Sequence, residues 1–252
     1  MAAAQLDNVQ IVILAAGHGK RMKNNEVPKV LVPMHGKAMI KHLVEAIAES
    51  GVCEKPTVVV SRDGQQVRDA LGDGFTFVVQ DKQLGTGHAV ASARSVLKGK
   101  AGHVMVLYGD HPFVTAGMIR KIAQAHQDSG AVLTMATVVL PDFNDWRGGF
   151  IDFGRVLRDG QGNVCEIIEK RDATDAQKEI REVNPSYFCF QAEWLWKNLE
   201  KLTDHNAQQE YYLTDLAAIA CREGHKVATV TIEPKEALGV NTPEQLELAS
   251  KL

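Results

Sequence analysis

The 252-residue sequence is poor in cysteine, and the cysteines it has are scattered. Cys53, Cys165, Cys189 and Cys221 stand singly without C-x-x-C spacing, so neither a zinc site nor a disulfide framework is predicted. A reducing cytoplasm is the simplest setting for such a chain. One-signed charge is lacking too: the formal net charge is -3, which argues against a nucleic-acid binder relying on a broadly basic face. No apolar run approaches membrane-spanning length. The first, Val9 to Leu14, follows no basic segment and ends at a glycine loop, so neither a signal peptide nor a membrane helix is expected. Internal repeats, low-complexity tracts and linkers are also missing, and one domain over residues 1–252 is the expected organisation.

What is present reads as an α/β fold. Val9 to Leu14, Thr57 to Val60, Thr76 to Val79 and Val104 to Leu107 are apolar on successive residues, as strands are when both faces are covered. Helical candidates alternate with them: Ala38 to Ser50, Gln65 to Leu71, His88 to Leu97 and Ala116 to Asp128. In the first of these, Met39, Ile40, Leu43, Val44 and Ile47 recur at helical spacing and leave Lys41, Glu45 and Glu49 outward. This alternation predicts a mostly parallel sheet with helices on both faces. The second half is strand-rich over roughly residues 131–190, at Ala131 to Val139, Arg155 to Leu157, Val164 to Glu169 and Tyr187 to Phe190. Asp159 to Asn163 reads as a hairpin turn between two of these strands. Helices return at Ala192 to Leu202 and Leu213 to Glu223, followed by a strand at Val227 to Ile232. Thr242-Pro243 reads as an N-cap followed by a first-turn proline.

Directly after the first strand comes Leu14-Ala15-Ala16-Gly17-His18-Gly19-Lys20-Arg21-Met22. A Gly-x-Gly turn there offers bare backbone N–H groups to a phosphate chain, and adjacent cations neutralise its charge. The loop is neither a Walker A motif nor a dinucleotide fingerprint, since it lacks the terminal G-K-[ST] of one and the third glycine of the other. Alone it is equally readable as a structural turn with Lys20 and Arg21 in solvent. Val27-Pro28-Lys29-Val30-Leu31 adds a lysine held by stiff backbone, a good way to fix a phosphate-binding ammonium and also a common arrangement for a surface lysine.

The run L-A-A-G-x-G-x-R-M followed by P-K-V-L resembles the signature of the nucleoside-diphosphate-sugar pyrophosphorylases. QDKQLGTGHAV (Gln80 to Val90), YGDHP (Tyr108 to Pro112), FGRVLR with EIIEKRDATD, and NAQQEYYLTD (Asn206 to Asp215) are similar to the N-acetylglucosamine-1-phosphate uridylyltransferase branch. The likeness runs from about Val9 to about Leu248. It implies a Rossmann-like, mixed and mostly parallel sheet flanked by helices, of the nucleotide-diphospho-sugar transferase type. It also implies transfer of a uridylyl group from UTP to N-acetylglucosamine-1-phosphate, assisted by Mg²⁺, with release of pyrophosphate.

The resemblance further implies roles for single residues. Leu14, Ala15, Ala16, Gly17 and Gly19 would line the nucleotide, with Arg21 and Lys29 as catalytic cations at the phosphates. Gln80, Gly85 and Thr86 would hold the base, since an amide can match a uracil edge with one donor and one acceptor. The structural alternative for Q-L-G-T-G-H is a turn into a helix with Thr86 as cap. Tyr108, Gly154, Glu169 and Asn184 would form the sugar side, although Glu169 also fits an outward strand residue. Asp110, at the carboxyl end of a strand, and Asn241, in Gly239-Val240-Asn241, would hold the metal, while His111 would not. The implied partners are UTP and a sugar-1-phosphate, with no nucleic acid and no membrane, and a homo-oligomer is left open.

Three features depart from the family pattern. Lys20 stands where threonine or serine is usual, His18 occupies a variable position, and Asn184-Pro185-Ser186 replaces asparagine-threonine-glycine beside the sugar. The acceptor could therefore be another sugar phosphate, a non-sugar phosphate or a molybdopterin-type compound, or the nucleotide could differ. A non-catalytic nucleotide-sugar sensor is the reading from another class; Asp110, Lys29, Arg21 and Asn241 together argue against it. No hexapeptide repeats of a left-handed β-helix occur in these residues, so acetyl transfer is not expected of them.

Overall fold

A computed structural model describes residues 8–17, 19, 22 and 27–252. The chain opens with β1 (Val9–Leu14), then a small hairpin of β2 (Pro33–Met34) and β3 (Lys37–Ala38), and α1 (Met39–Ser50). There follow β4 (Thr57–Val60), α2 (Gln65–Leu71), β5 (Thr76–Val79), α3 (Thr86–Ser92), α4 (Arg94–Leu97), β6 (His103–Tyr108) and α5 (Ala116–Ser129). The strand-rich part comprises β7 (Leu133–Val139), β8 (Gly154–Arg158), β9 (Val164–Ile168), the short α6 (Asp175–Lys178), β10 (Glu182–Asn184) and β11 (Phe188–Gln191). The chain ends with α7 (Ala192–Asn198), α8 (Asp215–Arg222), β12 (Val227–Thr231) and α9 (Pro243–Ala249).

Ten strands form one sheet in the order β5-β4-β1-β6-β11-β7-β10-β8-β9, and β12 pairs with β7 off this path. The central sheet is mixed and mostly parallel: β5, β4, β1 and β6 run parallel, as do β7 and β12. Antiparallel β11 joins these two groups, and β10, β8 and β9 extend the sheet by antiparallel pairing. The alternating pattern that predicted this sheet has a direct packing cause. Along β1, Val9, Ile11 and Ile13 enter one hydrophobic layer, against α1 and α5, while Val12 and Leu14 enter the other, against α3, α7 and α8. Each such burial contributes about 1.5–3 kcal/mol, so β1 is held from both faces.

Helix ends follow local chemistry. Thr115 caps α5 by accepting from the Met118 N–H at 3.1 Å, and Thr242 caps α9 by accepting from Gln245 at 3.2 Å, with Pro243 in its first turn. Two readings change. The helix expected from His88 begins at Thr86 and breaks at Ala93 into α3 and α4. Thr86 is not its cap: the capping position is Gly85, and the Thr86 hydroxyl accepts from the Leu213 N–H at 3.0 Å instead.

The sheet forks at Asn184-Pro185-Ser186-Tyr187. Residues 182–191 run antiparallel beside β7, but the ladder is interrupted there, so β10 turns to pair β8 while β11 pairs β6. Pro185 has no N–H to donate, and the Asn184 side-chain Nδ2 donates to the Ala136 carbonyl at 2.9 Å in the gap.

Candidate active site

The carboxyl ends of β1 and β6 meet in a crevice, the usual ligand position in open α/β sheets. Leu14, Ala15, Ala16 and Gly17 leave β1 tied to both neighbours: Ala15 N–H donates to the Val59 carbonyl at 2.9 Å, and Gly109 N–H donates to the Leu14 carbonyl at 3.0 Å. Gly17 is exposed, and a Cβ there would meet nothing within 4 Å. Gly19 differs. Its φ is +60°, and a Cβ would lie 2.8 Å from the Lys29 Cβ, so this glycine backs the lysine closely. Arg21, with His18 and Lys20, lies outside the described residues.

Lys29 follows Pro28 in a 3-10 turn, Lys29–Leu31. Its ammonium is ion-paired with the Asp110 carboxylate and donates to Asn241 Oδ1 at 2.8 Å. The lysine and aspartate side chains are only 14% and 10% exposed. Burial pushes the Asp110 carboxyl up, but the adjacent Lys29 ammonium and His111 outweigh it and hold the group below the usual carboxylate range. Asn241 reaches this point because the Val240 N–H donates to the Asp110 carbonyl at 3.0 Å. Gly239 makes that approach feasible: a Cβ there would stand 2.5 Å from His111 Nε2. His111 is itself braced, with Nδ1 2.6 Å from the Tyr187 hydroxyl, which donates to the Glu236 carbonyl at 3.0 Å. Burial holds the imidazole below its ordinary pKa.

Gln80, Gly85 and Thr86 form the opposite wall. Gly85 has φ +104° and ψ 177°, and a Cβ would lie 2.8 Å from both the N and O of Tyr211. The two segments are clasped by Gly87 N–H to the Tyr211 carbonyl and Tyr211 N–H to the Leu84 carbonyl, each 2.8 Å. Gln80 is buried, and its amide nitrogen donates to the Gly85 carbonyl and faces His88 Nδ1, both at 3.1 Å. The amide of Gln80 thus faces Gly85 and His88 on the side of this wall.

These residues enclose a cavity of about 220 Å³, lined by Leu14 to Gly17, Lys29, Gln80, Gly85, Thr86, Tyr108 and Asp110. Beside it opens a larger cavity of about 1090 Å³, lined by Glu169, Asn241, Lys170, Arg171 and the aromatic residues Trp146, Phe150 and Phe153. Glu210 borders both. The Glu169 carboxylate accepts from the Thr214 hydroxyl at 2.9 Å, and burial followed by the neighbouring Asp215, Asp172 and Glu210 pushes it above the usual range, against that hydrogen bond. Burial likewise pushes the Tyr108 phenol up.

Gly154 and Asn184 line neither cavity. A Cβ on Gly154 would strike Ile167 Cγ2 at 2.7 Å and sit 3.5 Å from Glu169 Oε1, so the missing side chain lets β9 approach. Asn184 is 2% exposed; besides its bond to Ala136, its Oδ1 accepts from the Ser186 N–H at 2.9 Å. Many of the cavity-lining residues were not singled out from the sequence, among them Trp146, Phe150, Gln83 and Glu210. Gln83, whose amide donates to the Ala16 carbonyl at 3.4 Å, and Glu210 both lie inside motifs that were recognised, and their position there was the available signal. Among the described residues, no three or more His, Cys, Asp or Glu side chains group to hold a metal, and no helix is long and apolar enough to cross a membrane.

Residues 11–214 match the family of MobA-like NTP transferase domains. The chain is 42% identical over 236 residues to the bifunctional protein GlmU of Heliobacterium modesticaldum, covering 93% of this chain and 50% of that protein. It is 39% identical over 245 residues to GlmU of Brevibacillus brevis, covering 97% and 51%. With GlmU of Desulfotalea psychrophila the identity is 37%, over 96% of this chain and 69% of that one. The chain thus spans about half the length of the first two relatives. A crystal structure of UDP-glucose pyrophosphorylase complexed with UDP-glucose superposes with a TM-score of 0.75 over 97% of both chains at 16% identity, a likeness of fold. The glycine loop, the Lys29–Asp110–Asn241 cluster and the matched length converge, and the chain belongs to the MobA-like NTP transferase domain family, as a nucleotidyltransferase related to GlmU.

Proposed function

We propose that the domain catalyses UTP + N-acetylglucosamine-1-phosphate → UDP-N-acetylglucosamine + pyrophosphate. One observation carries this reading: a buried cation, carboxylate and amide meet where a compact cavity opens into a wide polar one. Such a junction suits a reaction whose centre is an α-phosphorus flanked by a nucleoside on one side and a sugar phosphate on the other. An acceptor phosphate oxygen attacks that phosphorus in line, the bond to the β-phosphate breaks, and pyrophosphate leaves with the electron pair. No covalent nucleophile is required, so catalysis consists of positioning and charge neutralisation.

Lys29, with Arg21, neutralises the phosphates. The β1 loop follows them with backbone N–H groups, Gly85 admits the base by its missing side chain, and Gln80 offers Oε1 to a donor on its edge. On the acceptor side, Glu169 accepts from sugar hydroxyls while Thr214 holds it in place, and an acceptor lacking those hydroxyls leaves the carboxylate underpaired. The Asp110 carboxylate and Asn241 Oδ1 already converge on one cationic group, the Lys29 ammonium, and this hard oxygen pair fits Mg²⁺ with phosphates and water completing the shell. When bound, the ion supplies Lewis-acid neutralisation of phosphate charge.

A change of acceptor is the second reading, favoured by Asn184, whose amide bonds to Ala136 and Ser186 and lines neither cavity. Pyrophosphate release measured across nucleotides and sugar phosphates with Mg²⁺ tests both. Preference for N-acetylglucosamine-1-phosphate supports the first, preference for another acceptor replaces it with the second, and no turnover with any pair removes the transfer reading.

A further inference from the structure

The ammonium of Lys29 occupies the same two oxygens that the metal reading assigns to a divalent cation. Both oxygen donors are fixed by backbone: Asp110 lies in the turn that follows β6, and Asn241 is drawn to it by the Val240 N–H bond to the Asp110 carbonyl, 3.0 Å, over the bare Gly239. Lys29 is equally constrained, with Pro28 before it and Gly19 packed against its Cβ. A lysine ammonium has three donors and one charge, and here two of its contacts are Asp110 and Asn241 Oδ1. A metal ion bound to those oxygens would face the ammonium across a partly buried gap, where like charges repel strongly. The two cations therefore exclude one another.

Resting on the assignment of Asp110 and Asn241 as metal donors, we propose that Lys29 is an internal placeholder cation. It holds the donor pair closed in the free protein and exchanges with the divalent ion when a triphosphate supplies new acceptors for the ammonium. The adjacent cavity makes the exchange short-ranged, because Lys29 and Asp110 both line the space that also contains Gly17 and Thr86. Metal affinity in the absence of nucleotide is then lowered by the fraction of protein in which the lysine occupies the pair. Metal and phosphate binding become coupled through one side chain.

The experiment is a titration of the full chain with Mn²⁺ alone, without nucleotide, followed by paramagnetic resonance of the free ion and by calorimetry. Lys29→Met is expected to bind one Mn²⁺ at least tenfold more tightly than the wild type, and adding Asp110→Asn in that background is expected to abolish the gain. Lys170→Met removes a charge that lines the neighbouring cavity and pairs with Asp152, and is expected to shift affinity less than twofold. Thermal melting checks folding, and Lys29→Gln carries the same expectation should Lys29→Met not fold. The proposal is overturned if neither Lys29 variant binds Mn²⁺ more tightly than the wild type, or if Lys170→Met gains as much. Turnover separates this inference from the reaction: a failed exchange with intact pyrophosphate release leaves the reaction standing, whereas tightened Mn²⁺ binding without turnover leaves the exchange standing.

Discussion

Replacing Gly85 with alanine perturbs the nucleotide wall at its tightest point. With φ +104° and ψ 177°, the residue sits in a region essentially confined to glycine, and forcing an L-residue there costs about 1–3 kcal/mol. The new Cβ would also stand 2.8 Å from the Tyr211 N and O, both backbone atoms that cannot rotate away, and overpacking of this kind costs roughly 1–3 kcal/mol more. The sum, about 2–6 kcal/mol, is a large share of the roughly 5–15 kcal/mol that stabilises a typical domain. Gly74→Ala is the control, because a Cβ there meets nothing within 4 Å and its φ lies outside the positive range; it should change stability by less than about 1 kcal/mol. Urea unfolding followed by tryptophan fluorescence measures both, and UTP titration should show at least tenfold weaker binding for Gly85→Ala as the Leu84–Tyr211–Gly87 clasp opens. A loss below about 1 kcal/mol with unchanged UTP affinity would mean that neither the Gly85 conformation nor its contact with Tyr211 holds this wall in place.

Other substitutions separate the remaining roles. Asp110→Ala should lower kcat by about 10²–10³ or more while circular dichroism and melting remain cooperative, and retained turnover would remove Asp110 from the reacting centre. Glu169→Gln should raise KM for the sugar phosphate about tenfold and leave KM for UTP unchanged; equal effects on both would place Glu169 in a structural role. His126 gives a pH test: it is 1% exposed, with Nδ1 2.9 Å from the Thr134 hydroxyl, and burial lowers its pKa from 6.5 to about 4. Because the folded pKa is depressed, the stabilisation is complete above pH 6.5 and is lost as pH falls toward 4, where the unfolded chain takes up a proton that the folded chain resists. Between pH 6.5 and 4.5 the wild type should therefore lose about 2 kcal/mol more than His126→Gln in urea unfolding, and parallel slopes would contradict this.

The parts of this molecule that announce themselves in sequence are those governed by near neighbours. The apolar run of β1, the Thr242-Pro243 start of α9 and the helical spacing in α1 each carry a local physical cause, and all appear as read. What escaped depends on distant partners. β10 is three residues long and ends at a proline, so its run was too short to register, and the 3-10 segment Asp145–Asp152 that carries Trp146 and Phe150 to the larger cavity has no helical periodicity. Asn184 is buried and donates to the carbonyl of Ala136, far away in sequence. The Gln80 amide likewise donates to the Gly85 carbonyl at 3.1 Å. Residue type marked these positions correctly as polar and constrained, but the direction of each side chain was set by backbone groups brought together only by the fold.

Pyrophosphate release with UTP, N-acetylglucosamine-1-phosphate and Mg²⁺ is the direct measurement of the proposed transfer. The expected result is stoichiometric formation of UDP-N-acetylglucosamine and pyrophosphate, dependent on both substrates and lost in Asp110→Ala. Pyrophosphate release that needs no sugar phosphate, or none at all across the nucleotides and acceptors tried, would contradict it.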